Sequence, residues 1–138
     1  MPMSAGEIDE FLAQPLVAVI STVDGRGRPR SAPVWFHWAD GAAYVFTART
    51  SLKWRNLERR PQASLCVDTR VAPYSAVVID GNVAPSDRPL YDLVRAMAVA
   101  YYGEERGLAF AEAYRDSPGT VAFRIVPRHI TSWDYRDE

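Results

Sequence analysis

Apolar and polar positions alternate along most of this chain with a period of two, and four stretches with helical spacing interrupt that rhythm. The first is announced by Ser4 and Glu7, which have the Ser-x-x-Glu form of a capping box. Ile8, Phe11 and Leu12 give the helix that follows one apolar face, expected to lie over a barrel end, and Pro15 breaks it. Residues 16–23 are apolar and β-branched and lead into the turn Asp24-Gly25, which predicts a first strand. A second strand is expected over 29–38, with Val34, Phe36 and Trp38 on one face and Trp35 and His37 on the other. Asp40-Gly41 is a hairpin signal and 42–47 the returning strand, so the first three strands read as a meander.

Thr50 or Ser51 can cap a second helix, which runs to about Arg60 and is ended by Pro61. Strands are expected over 62–68 and 74–83, the latter interrupted late by Gly81. From residue 87 to 102, Leu90, Leu93, Val94, Met97 and Tyr101 recur at spacings of three and four, and a shorter helix follows over 104–114. Two last strands, 120–126 and 129–135, are separated around Pro127. Six or seven strands with short hairpins and peripheral helices predict an α+β protein built on an antiparallel split β-barrel. There is no βαβ alternation and no Gly-rich phosphate loop.

Composition adds bounds. A chain of 138 residues, 48% hydrophobic, suits one domain over 1–138 with its own core. The net charge of −1 gives no bulk attraction to nucleic acid or membranes. One cysteine, Cys66, excludes an internal disulfide, and two distant histidines make no zinc site with it. No apolar run approaches the ~20 residues of a membrane span. The N-terminus has no basic-then-apolar leader, so a cytoplasmic protein is expected.

Candidate chemistry gathers in residues 47–56. Lys53 is the only lysine; every other cation is an arginine. A helix start offers unpaired N–H groups and partial positive charge, and the hydroxyls of Thr47, Thr50 and Ser51, with Lys53 and Arg55, could complete an anion site. The same residues equally describe a capped basic surface helix. His37, among aromatics on a strand, reads as a packed side chain rather than a catalytic acid. If the protein is an enzyme, the hard chemistry belongs to a cofactor.

Several segments in order carry a resemblance. They are residues 24–36, which include Ser31, Ala32, Pro33, Val34 and Trp35; then Phe46-Thr47; then Lys53-Trp54-Arg55-Asn56-Leu57; then Pro61 to Leu65; then Tyr74 to Gly81; and finally Val126 to Asp134. Together they resemble the pyridoxamine 5′-phosphate oxidase-like split β-barrel superfamily, and within it the class B flavin/deazaflavin oxidoreductases. The resemblance implies a homodimer with two cofactor sites at the subunit interface, the strand of Ser31, Ala32, Pro33, Val34 and Trp35 beside the ring. It implies phosphate contacts from Thr47, Ser51 and Lys53, with Arg55 and Asn56 close by and Trp133 contributed by the partner subunit. Coenzyme F420 is the favoured cofactor and FMN the other, with hydride transfer to a small unsaturated or quinone-like substrate. The alternative is a non-catalytic flavin, F420 or haem carrier. The chain is shorter than the pyridoxamine oxidases, and their C-terminal arginine motif is not recognisable in it. An arginine-rich nucleic-acid module is a third reading, but no exposed aromatic stacking pattern accompanies it.

Overall fold

A computed structural model describes residues 1–136. The elements in chain order are α1 (Ala5–Leu12), β1 (Ala18–Val23), β2 (Pro29–Val34), β3 (His37–Ala39), β4 (Ala42–Ala48), α2 (Leu52–Arg59), β5 (Gln62–Asp68), β6 (Ser75–Pro85), α3 (Leu90–Tyr102), α4 (Glu104–Glu112) and β7 (Thr120–Asp134). All neighbouring strands pair antiparallel in the order β2-β1-β5-β6-β7-β4-β3. Laid flat, six spacings between seven strands would hold β2 and β3 roughly 29 Å apart. Only Trp35 and Phe36 separate them, and that length of chain reaches about 10 Å. The sheet must therefore curl until its two edges approach, which makes it a split barrel.

Alternation decides which side chains fill the barrel. Ile20 of β1, Leu65 and Val67 of β5, Val77 and Ile79 of β6, and Phe123 and Ile125 of β7 are inward and almost fully buried. Phe11 and Leu12 of α1 and Leu57 of α2 join the same core, and the Trp54 ring stacks on Phe123 with centroids 5.6 Å apart. β4 does not alternate, because both its faces are covered. Ala43 and Val45 point into the barrel, while Ala42 and Tyr44 pack on Leu93 and Met97 of α3. Gly107 lets α4 lie directly on α3, since a Cβ there would stand 2.5 Å from the Val99 nitrogen.

The capping box on α1 is present in both directions, Ser4 accepting from the Glu7 amide and Glu7 from the Ser4 amide. Four expectations need correction. The strand expected over 29–38 bends at Trp35 and Phe36, so its halves lie on opposite edges of the sheet. The reading of the first three strands as a meander therefore gives way to two hairpins, β1–β2 and β3–β4, held apart by β5, β6 and β7. The third correction is that the last two strands are one. Pro127 does not end β7, because it sits at a register shift opposite Gly81, where the ladder needs no N–H from it. α3 also begins later than expected, since Ser86 accepts from the Arg88 amide in a turn that occupies residues 86–89.

Candidate functional site

The end of β4 and the start of α2 form a tight turn. Ser51 is the N-cap, in extended conformation, and its Oγ accepts from the Trp54 amide at 3.2 Å. Thr47, buried at the end of β4, donates to the same Oγ at 3.1 Å. Lys53 Nζ in turn donates to Thr47 Oγ1 at 3.2 Å. Thr47, Ser51 and Lys53 are thus brought together by local geometry. Among the described residues, the amides of Leu52 and Lys53 have no acceptor, and no carboxylate lies within ion-pair distance of the Lys53 ammonium. The turn offers two backbone donors and one cation with bonding capacity left, a set that suits an anion.

Beside it lies a cleft of about 140 Å³ between α2 and β2, lined by Ile20, Thr22, Arg30, Ser31, Ala32, Leu52 and Lys53. Ala32 and Arg30 face the cleft side of β2, paired with Ile20 and Thr22 of β1. Ser31 turns its hydroxyl to the other face, 3.2 Å from Ser21 Oγ, and reaches the cleft with its remaining atoms. The hairpin that presents Arg30 is set by Asp24. Its carboxylate accepts from the amides of Arg26 and Arg28 and from Arg28 Nε, bonds that hold it below the usual carboxylate range, with Arg30 3.9 Å away. Arg30 and Leu52 were not singled out as site residues. The signal for Arg30 was its position two residues before Ala32 on one strand face.

Other candidates lie elsewhere. Asn56 is fully buried, donating to Thr22 Oγ1 at 3.1 Å and accepting from Arg59 at 2.9 Å, so it ties α2 to β1. Arg55 is exposed on α2. Pro33 is exposed on β2, and Val34 packs on the barrel core. Trp35 stacks on Tyr101 at 4.8 Å and meets Phe46, Tyr102 and Phe110, within an aromatic cluster under α3 and α4. Trp133 sits on the outer face of β7 opposite Ala76, 39% exposed. Thr47 pairs with Val121 on the same strand, which leaves about 40 Å of extended chain between the turn and Trp133.

His37 is half-buried, and burial together with the charge of Arg88 lowers its pKa, which keeps it neutral. Burial and Asp68 push the Cys66 thiol up, away from nucleophile chemistry. Among the described residues no cluster of His, Cys, Asp or Glu could hold a metal ion, and no helix is long and apolar enough to cross a membrane.

Comparison with known proteins gives this geometry a context. The pyridoxine/pyridoxamine 5′-phosphate oxidase of Paraburkholderia xenovorans is 31% identical over 153 aligned positions, covering 94% of this chain and 71% of that protein. Among solved structures, the conserved hypothetical protein Rv2991 of Mycobacterium tuberculosis superposes with a TM-score of 0.83 at 24% identity, over 97% of this chain and 86% of its own. An F420 reductase superposes at 0.68 with 18% identity, over 88% and 94%. HutZ, a haem storage protein of Vibrio cholerae, superposes at 0.73 with 20% identity, over 97% and 98%. These three likenesses are of fold. The pyridoxamine 5′-phosphate oxidase family model matches residues 4–134, nearly the whole chain, and the protein belongs to that family.

Proposed function

We propose that this protein is an oxidoreductase that holds a phosphate-bearing flavin-type cofactor, coenzyme F420 in preference to FMN, in a homodimer. The observation that carries the reading is the Thr47–Ser51–Lys53 turn, with its two unfilled amides and an ammonium facing no carboxylate. Lys53 and the α2 amides would bind the phosphate, and the β2 backbone from Ser31 to Ala32 would lie along the ring. Ile20 and Leu52 supply apolar walls that keep water from the reacting face. When bound, such a cofactor supplies hydride exchange with a small unsaturated or quinone-like substrate. Preference for F420 rests on cations beyond the phosphate position. Arg30 lines the cleft, and Arg55 and Arg60 are exposed nearby on α2 and its C-cap, available to a longer anionic tail.

A second copy of the chain is part of the proposal. The cleft, about 140 Å³, is below the ~300–1,000 Å³ of ordinary ligand pockets, so a ring seated there needs another wall. The outer face of the sheet offers the means: Pro33, Val19, Cys66 and Val78 form a cross-strand apolar row on four adjacent strands. A partner on that row would also bring a second Trp133 into play. A haem carrier has less support in this cleft, because none of its lining residues is a histidine, cysteine, methionine or tyrosine able to ligate iron.

The test is parallel titration of the protein with FMN and coenzyme F420. Lys53→Ala should weaken the bound one by about 1.5–3 kcal/mol through loss of a charge-assisted contact. Unchanged affinity would sink the phosphate assignment. Reduced cofactor that persists across a panel of enones and quinones would favour a carrier over an enzyme.

A further inference from the structure

A second cavity, of about 540 Å³, opens on the outer face of the sheet. Its floor belongs to a polar row that crosses five strands: Ser31, Ser21, Ser64, Asp80 and His129 occupy successive facing positions on β2, β1, β5, β6 and β7. This row lies next to the apolar row of Val19, Cys66 and Val78. Consecutive side chains on a strand normally point to opposite faces, so His129 on the outer face should turn Arg128 inward. The chain avoids that outcome. Pro127 faces Gly81 and His129 faces Asp80, which leaves Arg128 as the extra residue of a β-bulge. Arg128 and His129 consequently line the same cavity.

The bulge is specified by its residues. A Cβ on Gly81 would stand 2.4 Å from the Val126 carbonyl oxygen, so only glycine permits this approach of the two strands. Pro127 withdraws no N–H from the ladder. Among the described residues, the Arg128 guanidinium has no carboxylate within ion-pair distance, and the side chains of Asp80 and His129 make no hydrogen bond. A cation, an imidazole and a carboxylate, all with bonding capacity unused, therefore converge on a cavity whose remaining wall includes Val23, Pro29 and Ala63.

We propose that this cavity binds a compact 2-hydroxy acid with an apolar side group. Arg128 takes the carboxylate through its paired N–H groups, with His129 beside it. Asp80, directly across from His129, accepts the proton of a hydroxyl on the adjoining carbon, and Ala63, Val23 and Pro29, on the next three strands, cover the apolar group beyond it. The site is distinct from the phosphate turn, because its charged groups come from β6 and β7 while Lys53 and Leu52 belong to α2. The two adjoin at Thr22, which lines both, and at the Ser21–Ser31 contact.

The experiment is calorimetric titration of the full chain with mandelate, with phenylacetate and mandelamide as probes that each lack one recognised group. Mandelate should bind, phenylacetate more weakly, and the amide at least about tenfold more weakly. Arg128→Gln should lower mandelate affinity by about tenfold or more while FMN affinity stays unchanged. Asp80→Ala should erase the preference over phenylacetate, which supplies an independent reading should Arg128→Gln lower the melting temperature. No binding by the unaltered protein, equal binding of acid and amide, or full affinity in folded Arg128→Gln overturns the proposal. Parallel loss of FMN binding in Arg128→Gln also overturns it, by making the cavity part of the cofactor site.

Discussion

Asn56 lies in the basic stretch that looked like one anion-binding unit, yet its side chain faces the barrel wall and only Lys53 faces the cleft. Its amide reaches Thr22, which is 34 positions away along the chain, and no local pattern signals such a partner. The Ser51 cap and the Thr47–Lys53 contact span at most six residues, so both lie within the short stretch marked as a candidate anion site, although the sequence left the cap open between Thr50 and Ser51. Asn56→Ala would leave the buried Thr22 hydroxyl without its donor. It should lower stability by about 1–3 kcal/mol in urea unfolding, with far less effect on cofactor affinity of the folded protein than Lys53→Ala. His37 makes a pH prediction. Its folded-state pKa is lowered by burial and Arg88, so the unfolded chain binds the proton more readily. Stability is full above the unfolded value of 6.5 and is lost as pH falls from there towards the folded pKa. Unfolding followed between pH 7 and 5 should show this slope, and His37→Gln should flatten it.

At the scale of elements, most of the strands and helices were legible because alternation and helical spacing are local. β5 was read with its observed ends, since its alternation is unbroken over all of Gln62–Asp68. What escaped were places where a distant strand overrides local grammar. Trp35 turns away from the expected strand because Tyr101 stacks on it while its hydroxyl donates to the Leu16 carbonyl and accepts from the Phe36 amide. Pro127 continues a strand because Gly81 allows β6 to come close. Gly81→Ala should therefore push β6 from β7 and cost about 1–3 kcal/mol, seen as a lower urea midpoint and as faster amide exchange at Ile125 and Val126.

At the scale of the molecule, the resemblance pointed to the family that the comparison supports, and the fold follows from the closure of seven strands. The proposed cofactor site is less complete: one chain supplies the candidate anion turn and one strand wall, while Trp133 lies far along β7. The proposed dimer predicts that Val78→Glu, in the middle of the apolar row, converts the assembly to monomer in sedimentation experiments. Its circular dichroism should be unchanged, and its cofactor affinity should fall even though Val78 is remote from Lys53. A monomeric unaltered protein at micromolar concentration would remove the shared-site proposal.

The two-residue link between β2 and β3 also bears on aggregation. Closure by connection rather than by a continuous hydrogen-bond ladder leaves β2 at an edge, the kind of edge that recruits strands from other chains. Pro29 and Pro33 deny donors along that strand, and Arg30 places charge on it. Copies of this protein are thereby discouraged from joining edge to edge into fibrils, which leaves the sheet face to the proposed dimer.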